Sequence, residues 1–179
     1  MTDTAARNVI SPSTPDWSRE AKSFWVWSPS RSLLASLRSY QRHRGRRSPL
    51  HVALRMLATL RHRFWSVVTG ADIPLNSIIG GGLLMPHPNG IVIHPDARIG
   101  PNCLIFQQVT IGFRGSGLPT IGGHVDIGAG AKILGGIVLS DHAQIGANAV
   151  VLIDVPEGRI AVGIPASLVV RRGAGLGTS

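Results

Sequence analysis

The stretch "IHPDARIGPNCLIFQQVT", residues 93–110, divides into three sixes, each opened by isoleucine: Ile93, Ile99 and Ile105. Ile111 opens a fourth that is interrupted, and a second block resumes at Ile121 as IGGHVD, IGAGAK, ILGGIV, LSDHAQ, IGANAV and VLIDVP. Every first position is Ile, Leu or Val, and every fifth is small or β-branched, from Ala97 and Cys103 to Ala149 and Val155. A period of six is neither helical nor a simple strand alternation; it marks a repeat architecture. Three hexads make one triangular coil of 18 residues, with short flat strands between tight corners. First-position side chains stack inward, and the fifth position near a corner has room only for something small. Glycine, common at the second position, serves corners where φ is positive or the backbone is crowded. The expectation is a mainly β solenoid.

The lattice has two irregularities. Hexads continue back through Ile91, Met85, Ile79 and Ile73, with a two-residue slip before Ile93. Between Ile111 and Ile121 the spacing is ten rather than six, so residues 112–120 (GFRGSGLPT) form a loop leaving the solenoid. Irregularities in a repeat often mark its binding face. The single cysteine, Cys103, takes an inward fifth position and reads as a core thiol rather than a nucleophile. One cysteine excludes an internal disulfide framework, and no Cys/His cluster matches a structural zinc spacing.

Upstream of Gly70 the composition changes. Residues 1–70 hold 12 Lys/Arg against 3 Asp/Glu and 7 of the 9 aromatics, but only 2 of the 22 glycines. Residues 71–179 hold 6 Lys/Arg and 6 Asp/Glu. Residues 1–30, rich in Ser, Thr and Pro, are expected to be flexible, although Phe24, Trp25 and Trp27 could dock. Residues 31–70 are expected to be helical. Arg31–Arg42 suits a short helix, and Ser48-Pro49 reads as a cap followed by proline at the first helical position. Leu50, Leu54, Leu57, Phe64 and Val68 recur on one face of a second helix that Gly70 can end. The solenoid is expected over 71–170, and residues 171–179 as a flexible tail. The basic cluster Arg42, Arg44, Arg46 and Arg47 reads either as a solvated loop or as a weak contact, through residues 42–47, with anionic phospholipid or polysaccharide. No specific nucleic-acid partner is expected. No run of 18 apolar residues implies a membrane span, and the first residues lack a secretory pattern, so a cytoplasmic setting is the default.

His87 stands between Pro86 and Pro88 at the phase slip, followed by the turn pair Asn89-Gly90 and the β-branched run Ile91-Val92-Ile93. The segments "ADIPLNSIIGGGLLMPHPNGIVI", "IFQQVTIG", "IGAGAKILG" and "VGIPA" together resemble the serine acetyltransferase family of hexapeptide-repeat acyltransferases, over about residues 71–170. The preceding helices resemble a much reduced version of that family's N-terminal helical domain. The resemblance implies a left-handed parallel β-helix preceded by a short α-helical segment. It implies trimers, in the family often paired into hexamers, with acetyl-CoA as co-substrate in a groove between neighbouring helices. It implies His87 as general base and Asp72, 15 residues upstream, as the carboxylate that orients it. Along the groove it implies the main chain of the "GAGAK" coil, with Gly130, Ala131 and Lys132. From the sequence itself, Gly112, Arg114 and Gly115 of the loop are further candidates for CoA contact, and Arg171 and Arg172, soon after "VGIPA", are candidates for its phosphates. No metal is expected.

These residue types suit the chemistry. A hydroxyl attacks a thioester poorly until something accepts its proton, and neutral imidazole does that near pH 7. A carboxylate on the other ring nitrogen fixes the tautomer and stabilises the imidazolium. Backbone N–H groups of residues 112–117 are candidates for the oxyanion. With the cysteine inward, transfer is expected to be direct.

Three departures from the family pattern bear on the acceptor. Pro86 stands where the family has a serine-contacting aspartate. The excursion loop is shorter and lacks the family's Arg-His-Pro segment, leaving Arg114 as its cation. Ser167 replaces the basic residue usual after "GVPA". The expected function is therefore an acetyl-CoA-dependent O-acetyltransferase, serine O-acetyltransferase-like in cysteine biosynthesis, with a sugar or exopolysaccharide hydroxyl as the competing acceptor. A zinc-binding β-helix hydratase is the lesser alternative, since no close histidine pair is apparent at ligand spacing; a non-catalytic scaffold is the other.

Overall fold

The computed structural model describes residues 10–23, 25–115 and 117–169. Helix α1 spans Pro29–His43 and helix α2 spans Pro49–Thr69. Gly70 ends α2 in the left-handed conformation at φ 64°, its N–H bonded to the Ser66 carbonyl. Thirteen short strands follow among the described residues, β1 (Ile78–Ile79) to β13 (Ala166–Val169).

These strands stack into three parallel sheets, one per side of a triangular coil, closed at one end by an antiparallel pair. The registers reproduce the hexad lattice. Ile93 pairs with Ile111, Ile111 with Ile133, and Ile133 with Val151. Ile79, Ile99, Ile121 and Leu139 make the second ladder; Ile105, Ile127 and Ile145 begin the third. All first- and fifth-position side chains from Ile93 to Val155 are buried, Cys103 and its fifth-position neighbours Ala97 and Val109 completely. The extension back through Ile91, Met85, Ile79 and Ile73 is buried as well. The chain is thus a β-helix with two N-terminal helices.

The corners differ from the expectation in which residues take positive φ. Two columns of left-handed residues climb the solenoid. One holds Gly82, Asn102, His124, His142 and Gly158; the other holds Gly70, Gly90, Gln108, Gly130 and Asn148. Half of these ten positions are Gly, and the rest are Asn, Gln or His. Second-position glycines answer to a different constraint. A Cβ on Gly100 would lie 2.5 Å from the Gly122 carbonyl carbon of the next coil, so coil-to-coil approach excludes a side chain there.

The described part of residues 1–30, expected to be flexible, makes specific contacts with the solenoid. Ile10–Glu20 lies as a strap across one corner, gripped by Asn102. The Asn102 side chain accepts from the Asp16 N–H at 2.7 Å and donates to the Ser11 and Thr14 carbonyls at 2.7 and 2.8 Å. Arg38 of α1 ties strap, helix and first coil together. It pairs with Glu20 at 2.8 Å, donates to the Ile79 and Gly80 carbonyls, and stacks its guanidinium 5.4 Å from the Trp17 ring. Glu20 in turn accepts from the Leu83 N–H. Phe24 and the expected tail 171–179 lie outside the described residues.

Helix α2 docks by its small and polar face. Ala58, His62 and Thr69 are buried, with Trp65 packed partly against the core. The buried His62 accepts or donates at Ser36 of α1 and donates from Nε2 to the Ile73 carbonyl at 2.8 Å, bridging both helices to the solenoid. The face of Leu50, Leu57, Phe64 and Val68 points outward instead. Among the described residues no helix is long and apolar enough to cross a membrane.

Asn102→Gly would keep the left-handed backbone while removing three strap hydrogen bonds, at a cost of about 1–3 kcal/mol. A thermal midpoint lowered by several degrees and faster proteolysis at Trp17–Arg19 are expected. Unchanged cleavage would show that the strap is held by something other than Asn102.

Candidate functional site

His87 lies on the corner column of Gly70, Gly90, Gln108 and Gly130. Pro86 and Pro88 restrict the backbone on either side of it. Gly90 then turns the chain at φ 69° and donates its N–H to the Gly70 carbonyl at 2.9 Å. That bond lays the His87 loop on the end of α2. Asp72, two residues past Gly70, bridges Val92: its N–H donates to the Ile91 carbonyl, and its carbonyl accepts from Ile93. Ala71 and Ile73 on either side of it are buried, so Asp72 faces outward. The two candidate catalytic residues therefore sit on adjoining coils near one corner. Both are exposed, and within this chain neither side chain has a hydrogen bond or ion pair with the other.

A recess of about 290 Å³ opens beside His87. The first turn of α1 (Pro29, Ser30) and the last of α2 (Val68, Thr69) wall it, opposite Pro86–Asn89. The sequence reading did not assign the helices to the site. No spacing signal links residue 30 to residue 87; the contact follows only from how the helices fold back over the first coil.

The other candidates are placed as follows. Gly112 ends β5 (Thr110–Gly112), and Arg114 and Gly115 are exposed in the excursion loop. The Arg114 N–H donates to the Gly117 carbonyl at 3.3 Å, so it is already engaged. Gly130 is left-handed at φ 73° on the His87 corner column. Ala131 is fully buried, leaving only its main chain to meet a ligand. Lys132 donates from Nζ to the Gln108 carbonyl at 2.8 Å and to Thr110 Oγ1 at 3.1 Å. Arg171 and Arg172 lie outside the described residues. Gln107 was not singled out from sequence. It lies at the same corner, and its Oε1 is buried without a hydrogen-bond partner. Burial pushes the Cys103 thiol up to about 12, which keeps it protonated and inert as a nucleophile.

One histidine reading is corrected. His124 and His142 are a close pair, Nδ1 to Nδ1 at 2.7 Å with rings edge to face. Their 18-residue separation is one coil, so distance along the chain becomes contact. They occupy the other corner column, away from His87. Among the described residues no group of three or more His, Cys, Asp or Glu is arranged to hold a metal ion.

Burial lowers the pKa of His62 and of His124, with the His142 ring adding to the shift at His124 and Asp126 opposing it. The unfolded chain then binds protons that the folded chain refuses. Stability is full above the usual 6.5 and is lost as pH falls through 6.5 towards the folded values. The thermal midpoint should drop between pH 7 and pH 5, with a shallower slope in His124→Asn, which keeps a residue tolerant of positive φ. An identical slope in that variant would remove His124 from the titration.

No family model matches the chain. The serine acetyltransferase of Mycobacterium tuberculosis is 40% identical over 121 residues, covering 64% of this chain and 52% of that protein. A solved serine acetyltransferase in complex with CoA is 34% identical with a TM-score of 0.66, covering 80% of this chain and 58% of that one. The soybean serine acetyltransferase complexed with serine is 35% identical with a TM-score of 0.59, covering 77% of this chain and 70% of that one. The chain spans between 46% and 63% of the length of such curated relatives.

Proposed function

The chain belongs to the serine acetyltransferase family, and from that premise we propose that it is an acetyl-CoA-dependent O-acetyltransferase with residues 71–170 as its catalytic domain. The single observation that carries the reading is His87, exposed at the slip in the coil, one coil from Asp72 and facing a recess. A ring in that position can approach an acceptor hydroxyl. His87 takes the hydroxyl proton as the oxygen attacks the acetyl carbonyl, and CoA leaves as thiolate, to which His87 returns the proton. Asp72 holds the imidazole tautomer. Direct transfer follows from the inert Cys103.

CoA in this reading lies along Gly112, Arg114, Gly115, Gly130, Lys132 and the main chain of Ala131, with Arg171 and Arg172 beyond them. A solved relative in complex with CoA supports that choice of co-substrate. A homotrimer goes with it, paired or not, because His87 and Asp72 lack side-chain partners among the described residues. Outward apolar residues such as Ile78, Val92 and Val138 on the sheet faces suit packing of coil against coil. A cytoplasmic location also goes with it, acetyl-CoA being an intracellular metabolite.

L-Serine is the leading acceptor, supported by the relatives' names and the serine-bound soybean structure. A saccharide hydroxyl is the second reading, favoured by Pro86 in place of the family's acceptor-binding aspartate and by a loop whose cation is Arg114.

Free-thiol release from acetyl-CoA should depend on an acceptor and fall by about 10²–10⁴ in His87→Ala with the fold intact. Asp72→Asn should fall less. Full activity in His87→Ala would end the mechanism. A panel of L-serine, homoserine and sugars separates the acceptors: turnover with sugars alone would replace serine.

A further inference from the structure

We propose that the outward face of α2 seats this protein on an anionic lipid bilayer. Met56, Leu57, Leu60, Phe64, Val67 and Val68 lie on that face, each at least 40% exposed. By helical spacing they occupy about a third of the circumference, and exposed Arg61 and Arg63 flank the stripe on its two edges. The opposite face is already committed through Ala58, His62 and Thr69, so α2 cannot roll to bury the stripe without undocking. Single exposed leucines are ordinary, whereas a contiguous stripe of this size marks an interaction surface.

Charge decides what covers it. From residue 21 to residue 71 the chain has ten Lys/Arg and no Asp/Glu. Of these, Arg38 is neutralised by Glu20. Arg44, Arg46 and Arg47 are exposed where α2 begins. A second copy presenting this same face would set arginine against arginine with no carboxylate between them. A nucleic acid or an acidic polysaccharide supplies anions but no apolar body for the stripe. An anionic bilayer supplies both, with phosphates at the depth of the arginine heads and hydrocarbon beneath. Arginine stems can lie along the apolar surface while their heads reach the phosphates. At 21 residues α2 is about 31 Å long and lies in the plane of the surface rather than across it.

The test is flotation of the full chain with vesicles of phosphatidylglycerol and phosphatidylcholine against vesicles of phosphatidylcholine alone. Binding to the anionic vesicles only, weakening as salt is raised, is expected. Leu60→Glu with Val67→Glu should weaken partitioning at least tenfold, and each of Arg61→Glu and Arg63→Glu by about fivefold or more. Val67 is 84% exposed, so its substitution spares the packing. Circular dichroism and solution mass are measured alongside; should the apolar double variant misfold, the arginine variants decide. Absence of binding to anionic vesicles, or binding unchanged in the folded variants, overturns the proposal. So does a wild-type mass that halves in Leu60→Glu with Val67→Glu while no vesicle binds, which would assign the face to pairing between copies.

Discussion

The structure depends on coils of the solenoid stacking in register with a large aliphatic side chain at every inward first position. Burying an isoleucine contributes about 1.5–3 kcal/mol, and each such residue also packs the one a coil below. A shift of one residue along a strand would turn that whole set outward. Register is therefore strongly specified, and the corners must absorb whatever the chain does between strands. Two of the three corners do so with a left-handed residue whose N–H reaches a carbonyl of the coil beneath, as Gln108 reaches Asn89 and His142 reaches Gly123. Extra residues are tolerated only where they leave the lattice: two at the turn carrying His87, four at the excursion loop.

The rigid interior has a consequence for chemistry. From Ile93 to Val155 every inward position is apolar and closed, so reactive groups there can stand only on outward strand positions or at corners. Of the candidates, His87 stands at a corner and Asp72 at an outward position bridging the next coil at Val92. Among the described residues neither side chain has a hydrogen-bond or ion-pair partner. Cys103 shows the converse: placed inward, its thiol is held protonated and away from reactants.

Much of this was legible in the sequence because a period of six survives without a third dimension. Ile93 through Val155, the loop at 112–120 and the helix stop at Gly70 follow from spacing and residue type. What stayed hidden depends on which coil lies beside which. His124 and His142 are far apart in sequence and share a hydrogen bond because 18 residues make one turn. The strap on Asn102 joins residues 91 positions apart, and nothing in Ser11–Asp16 announces a partner. Helix α2 was legible as an amphipathic face but not in its direction. A helix with Ala58, His62 and Thr69 on one side and leucines on the other would ordinarily bury the leucines. Here His62 has a carbonyl and a hydroxyl to satisfy, and that docks the polar side.

The two ends of the problem meet at Val68. This residue lines the recess beside His87 and also belongs to the apolar stripe of α2. Acceptor choice and surface docking are thus contiguous in space, although they are chemically independent. For a free amino acid the contiguity has no use, because serine diffuses to the recess from solution without a surface to carry it. For a saccharide carried on a lipid, the proposed docking would place the headgroup layer next to His87, with only the last turn of α2 between them. Pro86 bears on the same question from the other direction, since its side chain has neither charge nor polar atom with which to pair the ammonium of an amino acid. A docked α2 therefore adds weight to the saccharide reading, and a serine-specific enzyme would have to find its acceptor contacts among groups other than Pro86.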